Sequence, residues 1–232
     1  MSSSEETEQI KIRYEKRKNN PSVQNHHSSK TFISYMTAER TKAFTFLLKN
    51  HFQDKLNSIS LIEIGAGNGG NINFFKQLNI PVEKLFANEL QEDRLKNLHE
   101  NHPDIQILSG DARTLLPNYS GAFDVVFQST VFTSILDQEF KKDLASCCLQ
   151  MLKPGGIVLW YDFAFDNPKN KDVKGIKKKE IMSLFPNCHI HFQKVTLAPP
   201  IGRRVGKLYP IFNSLPFLRT HLIAFIIPKV KS

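Results

Sequence analysis

Ser60-Leu61-Ile62-Glu63-Ile64-Gly65-Ala66-Gly67-Asn68-Gly69-Gly70 is the stretch on which the fold turns. Ser60 to Ile64 is a short apolar run that predicts a strand, and the glycines after it let the chain turn tightly and a ligand approach the backbone, because no Cβ intrudes. Asn71 to Leu78 then predicts a helix. Its first N–H groups and the positive end of its dipole suit an anionic group. Two spacings overlap in the loop: Gly65-x-Gly67-x-Gly69 and Gly65-x-Gly67-x-x-Gly70, the second being that of dinucleotide sites. The glycines alone do not choose between them.

Outward from this loop, strand and helix alternate. Strands are predicted at Lys84 to Asn88, Ile105 to Leu108, Phe123 to Phe127 and Ile157 to Tyr161, with helices at Gln91 to Glu100 and Asp137 to Leu152. The last helix has an apolar stripe of Phe140, Leu144, Cys148 and Met151, Asp137 placed to cap its start, and Lys153-Pro154-Gly155-Gly156 to end it. A further helix is expected from Phe32 to Phe52. His189 to Leu197 and His221 to Ile227 read as two late strands, the last antiparallel at or near the sheet edge. The fold class is therefore α/β, a Rossmann-like doubly wound sheet of seven mostly parallel strands.

The chain of 232 residues suits one domain with appendages. Residues 1–30, rich in Ser, Glu, Lys, Asn and Gln, are expected to be a flexible arm; residues 31–232 form the domain, with a basic and aromatic insertion at 199–219. No apolar run approaches a membrane span or a secretory signal. Three cysteines without ligand spacing imply neither a disulfide framework nor a metal site and suit a reducing cytoplasm. The net charge of +9 is uneven: residues 1–162 carry 18 basic and 19 acidic side chains, and residues 163–232 carry 13 and 3. That basic C-terminal third favours anionic partners, whether acidic substrates or the inner face of a membrane; Lys177-Lys178-Lys179 by itself reads as a solvated face.

The residues around the loop distinguish its two readings. Glu63 sits two places before the first glycine, where a carboxylate suits an amino acid group and opposes a pyrophosphate. Glu89 ends the second strand, placed for two ribose hydroxyls, and Gly110-Asp111-Ala112 ends the third, placed for an adenine. With Phe123-Asp124-Val125-Val126 and Leu152-Lys153-Pro154-Gly155-Gly156, these motifs resemble class I S-adenosylmethionine (SAM)-dependent methyltransferases over roughly residues 58 to 163. The resemblance implies SAM as cofactor, with Glu63, Gly65, Ala66, Gly67, Glu89, Leu90, Asp111 and Ala112 lining it and Gln128 and Ser129 beside it. Asp124 is expected to support local structure.

A hydroxyl acceptor would need a base, and Asp162, at the end of the fifth strand, is the candidate. Its competing reading is a cap for the Asp166-Asn167-Pro168 turn. Substrate contacts are expected from Thr130, Tyr161, Arg203 and Arg204, and from Tyr14 and Arg17 if the arm folds over the site. The Tyr161 to Pro168 stretch and the tail resemble methyltransferases of bacterial surface-polysaccharide clusters. That implies methylation of a sugar hydroxyl, on a small molecule or a lipid-linked glycan. A small acidic metabolite or lipid is the alternative acceptor. A nucleic-acid methyltransferase and an NAD-dependent reductase rank below both: no base-flipping motif is present, so nucleic acid is not expected as a partner.

Overall fold

A computed structural model describes residues 3–18, 30–168 and 170–229. Seven strands form one sheet: β1 (Leu61–Ile64), β2 (Leu85–Glu89), β3 (Gln106–Ser109), β4 (Phe123–Ser129), β5 (Leu152–Phe163), β6 (Cys188–Leu197) and β7 (Arg219–Pro228). Their order is β3-β2-β1-β4-β5-β7-β6. The first five run parallel, whereas β7 is antiparallel to both β5 and β6. The order reverses at β1, and in such sheets ligands bind outside the carboxyl ends of the strands at the reversal.

Described helices are α1 (Ser3–Lys18), α2 (Lys30–Phe52), α3 (Ile72–Gln77), α4 (Glu92–Asn101), α5 (Leu116–Tyr119), α6 (Gln138–Gln150), α7 (Lys178–Leu184), α8 (Pro199–Val205) and α9 (Tyr209–Asn213). The strands bury both faces because their side chains alternate between two cores. Val125, Phe127, Leu159 and Tyr161 face Phe44 and Leu48 of α2, Phe75 of α3 and Leu98 of α4. Val126, Val158 and Trp160 face Phe140, Leu144 and Cys148 of α6 and Ile181 and Leu184 of α7. Burying one such side chain fully contributes roughly 2–3 kcal/mol.

Local chemistry fixes the element ends. The Asp137 carboxylate accepts from the Phe140 N–H at 2.8 Å and caps α6. Asp124 is a structural residue: its Oδ2 accepts from Ser60 N–H, Ser60 Oγ and Lys153 Nζ, tying the starts of β1, β4 and β5 together. Gly69 has φ +79°, and a Cβ there would come within 2.4 Å of the His102 ring. It serves the close packing of the loop on the end of α4.

One expectation is corrected. The N-terminal segment is not a loose arm over residues 3–18 but a helix with Ile10 buried in the core; residues 19–29 lie outside the described residues. Its anchor is Glu6, 2% exposed, which accepts from Arg13 at 2.7 Å and from the Leu136 N–H at 3.0 Å. A polar composition hides this, since hydrogen bonds linking Glu6, Thr7, Arg13 and Arg17 to the domain hold what few apolar residues cannot. α7 was not expected from the sequence; it opens within the Lys177-Lys178-Lys179 run.

Candidate active site

Above the carboxyl ends of β1, β2, β3 and β4 lies a cavity of about 370 Å³. Of the residues expected there, Glu63, Gly65, Ala66, Gly67, Glu89, Leu90, Asp111, Ala112, Ser129, Thr130 and Tyr14 line it. Arg40, Asn71, Asn88, Gln91 and Arg94 line it as well, without having been legible in the sequence. Apolar walls come from Ile10, Ile135, Phe140 and Leu144.

Glu63 ends β1 and is 1% exposed. Its Oε1 accepts from Asn71 Nδ2 at 2.6 Å, while its buried Oε2 has no partner. Burial pushes the carboxyl up to about 8, against the Asn71 hydrogen bond and the Arg40 charge. Arg40, on α2, donates to Asn71 Oδ1 at 2.7 Å and keeps its buried Nε unpartnered. A buried acid short of one donor and a guanidinium with a spare N–H, both reaching Asn71, suit the ammonium and carboxylate of an amino acid.

Glu89 is bound on both oxygens. Oε2 accepts from the Gly67 N–H at 2.7 Å, and Oε1 accepts from the Leu90 and Gln91 N–H groups at 2.8 and 2.9 Å. It thus holds the glycine loop against the end of β2 while Oε2 retains room for a hydroxyl donor. Gly67 has φ +61° and Gly65 +65°; a Cβ on Gly65 would come within 2.6 Å of Val131 Cγ2. These are the positions where the loop requires glycine.

Asp111 departs from the expectation of a free acceptor. Its carboxylate receives Arg113 N–H, Nε and Nη2 and also Thr7 Oγ1 from α1. Burial raises its proton affinity, but these bonds outweigh it and hold the group below the usual carboxylate range. Asp111 thus braces the turn at the end of β3.

α1 closes one side of the cavity. Tyr14 donates to Ser134 Oγ at 3.2 Å, and its ring lies between the guanidinium groups of Arg17 and Arg94 at 4.6 and 4.3 Å. Arg17 itself is not on the cavity wall: it donates to the Asp172 carbonyl at 2.9 Å and pins α1 to the 164–177 loop. Removing residues 1–18 is expected to weaken SAM binding about tenfold, on the scale of one lost buried contact set of about 1.4 kcal/mol. Titration calorimetry checks this, and an unchanged affinity would make α1 a bystander.

Three further assignments are corrected. Gln128 is fully buried and off the wall, its Oε1 accepting from Val131 N–H at 3.1 Å. It braces the turn in which Thr130, a β-branched residue, adopts φ +59°. Such strain costs on the order of 1–3 kcal/mol and holds Thr130 at the cavity rim. Tyr161 faces the other core, bonded to Thr196 at 3.0 Å, with burial pushing its hydroxyl up to about 12. Asp162 is 1% exposed and lies behind Thr133, whose hydroxyl donates to it at 2.6 Å; burial pushes it up to about 7. It lines neither this cavity nor the groove described next, so it is not placed to take a proton from an acceptor. Nor does it cap the following turn, where Asp166 instead accepts from the Gly175 N–H.

Arg203 and Arg204 belong to a second cavity of about 690 Å³, lined also by Phe163, Phe165, Asn167, Pro199 and His221. It opens at the end of β5 and the start of β7. The Tyr161 ring touches both sites: Arg40 lies over it at 5.0 Å, and His221 stacks on it at 5.2 Å. Burial holds His221 near 4, so its imidazole is neutral at physiological pH. Among the described residues, no acid pairs with Arg203 or Arg204.

A mostly parallel sheet with a buried acid, a backbone-bonded carboxylate and a glycine loop at its switch point is the arrangement expected for a class I SAM-dependent methyltransferase. Residues 62–160 match the family model described as a methyltransferase domain. That match and the fold shared with solved SAM-dependent methyltransferases support methyl transfer with SAM as the cofactor. Among solved structures it is similar to the plantazolicin methyltransferase BamL, in complex with a triazolic desmethylPZN analog and SAH. Identity there is 14%, with 96% of this chain and 97% of that one covered and a TM-score of 0.60. It is also similar to a SAM-dependent methyltransferase of Methanosarcina mazei, at 10% identity, 80% and 98% coverage and a TM-score of 0.60. A third, from Archaeoglobus fulgidus, has 16% identity, 84% and 99% coverage and a TM-score of 0.53. No curated protein matches the sequence.

Proposed function

We propose that this methyltransferase methylates a hydroxyl of an anionic sugar, free or carrier-linked, as in the assembly of surface polysaccharides. In this reading Glu63 holds the ammonium and Arg40 the carboxylate of the cofactor's amino acid group, Glu89 holds the ribose, and Leu90 and Ala112 flank the adenine. Bound SAM supplies an electrophilic methyl group on a sulfonium. Ser129 and Thr130 form the rim at which the acceptor enters, and α1 with Ile10 and Tyr14 excludes water from the cofactor side. The acceptor's hydroxyl proton passes to solvent at the open rim as the oxygen takes up the methyl group, and transfer is then chiefly a matter of bringing two reactants into near-attack geometry.

The observation that carries the acceptor class is the second groove. Two arginines without acidic partners stand in it beside aromatic and proline walls, one ring away from Arg40. A planar guanidinium pair suits phosphate or carboxylate, and flat apolar walls suit a sugar ring.

The test is methyl transfer against a panel of sugar phosphates, uronic acids, small organic acids and anionic lipids, read by mass. Arg203→Ala with Arg204→Ala is expected to raise KM for the accepted substrate at least about tenfold, with SAM affinity unchanged, as for loss of one to two charge-assisted bonds. An unchanged KM would remove the anion from the reading. A preferred organic acid or lipid would move the acceptor to that class and keep the arginines.

A further inference from the structure

The 199–219 segment shows two faces of opposite character. Its inner face is anchored on α2: the Tyr209 ring stacks on Tyr35 at 5.2 Å, and Gly202 sits so close to Phe32 that a Cβ would come within 2.4 Å of the ring. Glu39 of α2 accepts from the Tyr209 hydroxyl at 3.2 Å and from Asn213 Nδ2 at 2.8 Å. Ile201, Val205, Phe212 and Leu218 also pack inward, while four large apolar side chains of the segment face outward. Leu208 is 53% exposed, Ile211 66%, Leu215 40% and Phe217 73%.

Four large apolar side chains within ten residues are not scattered surface residues; such a patch marks an interaction site. Its surroundings are charged with one sign. Residues 199–219 contain Arg203, Arg204, Lys207 and Arg219 and no acid. Arg219 is close to Glu39, at 3.9 Å, whereas Lys207 has no acidic partner among the described residues. Protruding aliphatic and aromatic tips in a segment that carries cations and no acid complement a surface that is apolar beneath and anionic above.

We propose that the outer face of residues 206–218 seats this methyltransferase on an anionic lipid bilayer, Leu208, Ile211, Leu215 and Phe217 entering the interface and Lys207 and its neighbouring arginines meeting the headgroups. No described helix is long and apolar enough to cross a membrane, so the contact is peripheral. Because Pro199, Arg203 and Arg204 also line the groove, the seating brings that groove to the headgroup level. Only this last consequence rests on the proposed acceptor class.

Co-sedimentation of the full chain with vesicles tests it without any methyl transfer. With phosphatidylglycerol-containing vesicles at about 0.1 M salt, where the Debye length is about 10 Å, most of the protein is expected in the pellet. With pure phosphatidylcholine, binding is expected to fall about fivefold or more, as for loss of about 1 kcal/mol per basic residue. Ile211→Ser with Phe217→Ser, or Phe217→Ser alone should the pair not fold, is expected to reduce pelleting about fivefold with SAM binding intact, the loss of buried apolar area setting the scale. Absence of pelleting by the parent chain, equal pelleting of a variant that still binds SAM, or a vesicle-independent dimer that the substitutions dissociate would each overturn the proposal.

Discussion

Glu89→Ala is expected to weaken SAM binding by about two orders of magnitude, the largest single-site loss in the molecule. The carboxylate is 3% exposed and carries three backbone N–H groups at once, from Gly67, Leu90 and Gln91. Removing it strands those donors, frees the glycine loop, and deletes the acceptor placed for the ribose. Hydrogen bonds to a charged group contribute about 1.5–3 kcal/mol, and 1.4 kcal/mol is a factor of ten in affinity. Glu89→Gln keeps an acceptor oxygen and is expected to recover part of the loss. Calorimetric titration of both variants with SAM separates the two contributions, and a loss of under about threefold for Glu89→Ala, well short of one such bond, would exclude Glu89 from the site.

The second large effect is a pH dependence. Burial raises the Glu63 carboxyl to about 8, so below that pH the ligand-free enzyme holds it protonated. An ammonium partner requires the carboxylate, and binding therefore releases a proton. SAM affinity is expected to rise by up to about tenfold per pH unit between pH 6 and 7, since one bound proton is exchanged. The sign follows from the direction of the shift: a raised acid disfavours the charged form until a cation arrives. Glu63→Gln is expected to flatten the profile and to cost about 10- to 100-fold at pH 8, the range of a charge-assisted bond. A parallel slope in the variant would assign the pH dependence to another group.

The alternation of strands and helices was legible because each strand carries its apolar run between sharp breakers, as at Ile64-Gly65 and Lys153-Pro154-Gly155-Gly156. Carboxylates at strand ends were legible for a related reason: a buried acid beside a glycine loop is costly unless a ligand needs it. Arg40 and Asn71 were not legible. They lie in ordinary helical positions, and only the packing of α2 and α3 over β1 brings them to Glu63. Asp162 failed in the opposite sense. Its place at the end of β5 is where ligands gather, yet period-two alternation turns its side chain toward Thr133 and the α6 and α7 side. The N-terminal helix escaped notice because its docking depends on scattered polar contacts, from Glu6 to the Leu136 N–H, from Arg13 and Tyr14 to Ser134 and from Arg17 to Asp172, and not on an apolar stripe. Arg203 and Arg204 stood out by charge, but that they share a groove with Phe163 and His221 depends on the antiparallel return of β7 beside β5.

Titrating the intact chain with SAM and, separately, with NADH tests most directly whether the three strand ends serve one adenosyl-sulfonium ligand. Saturable binding of one SAM per chain with no heat from NADH is expected. NADH binding with no response to SAM would contradict it.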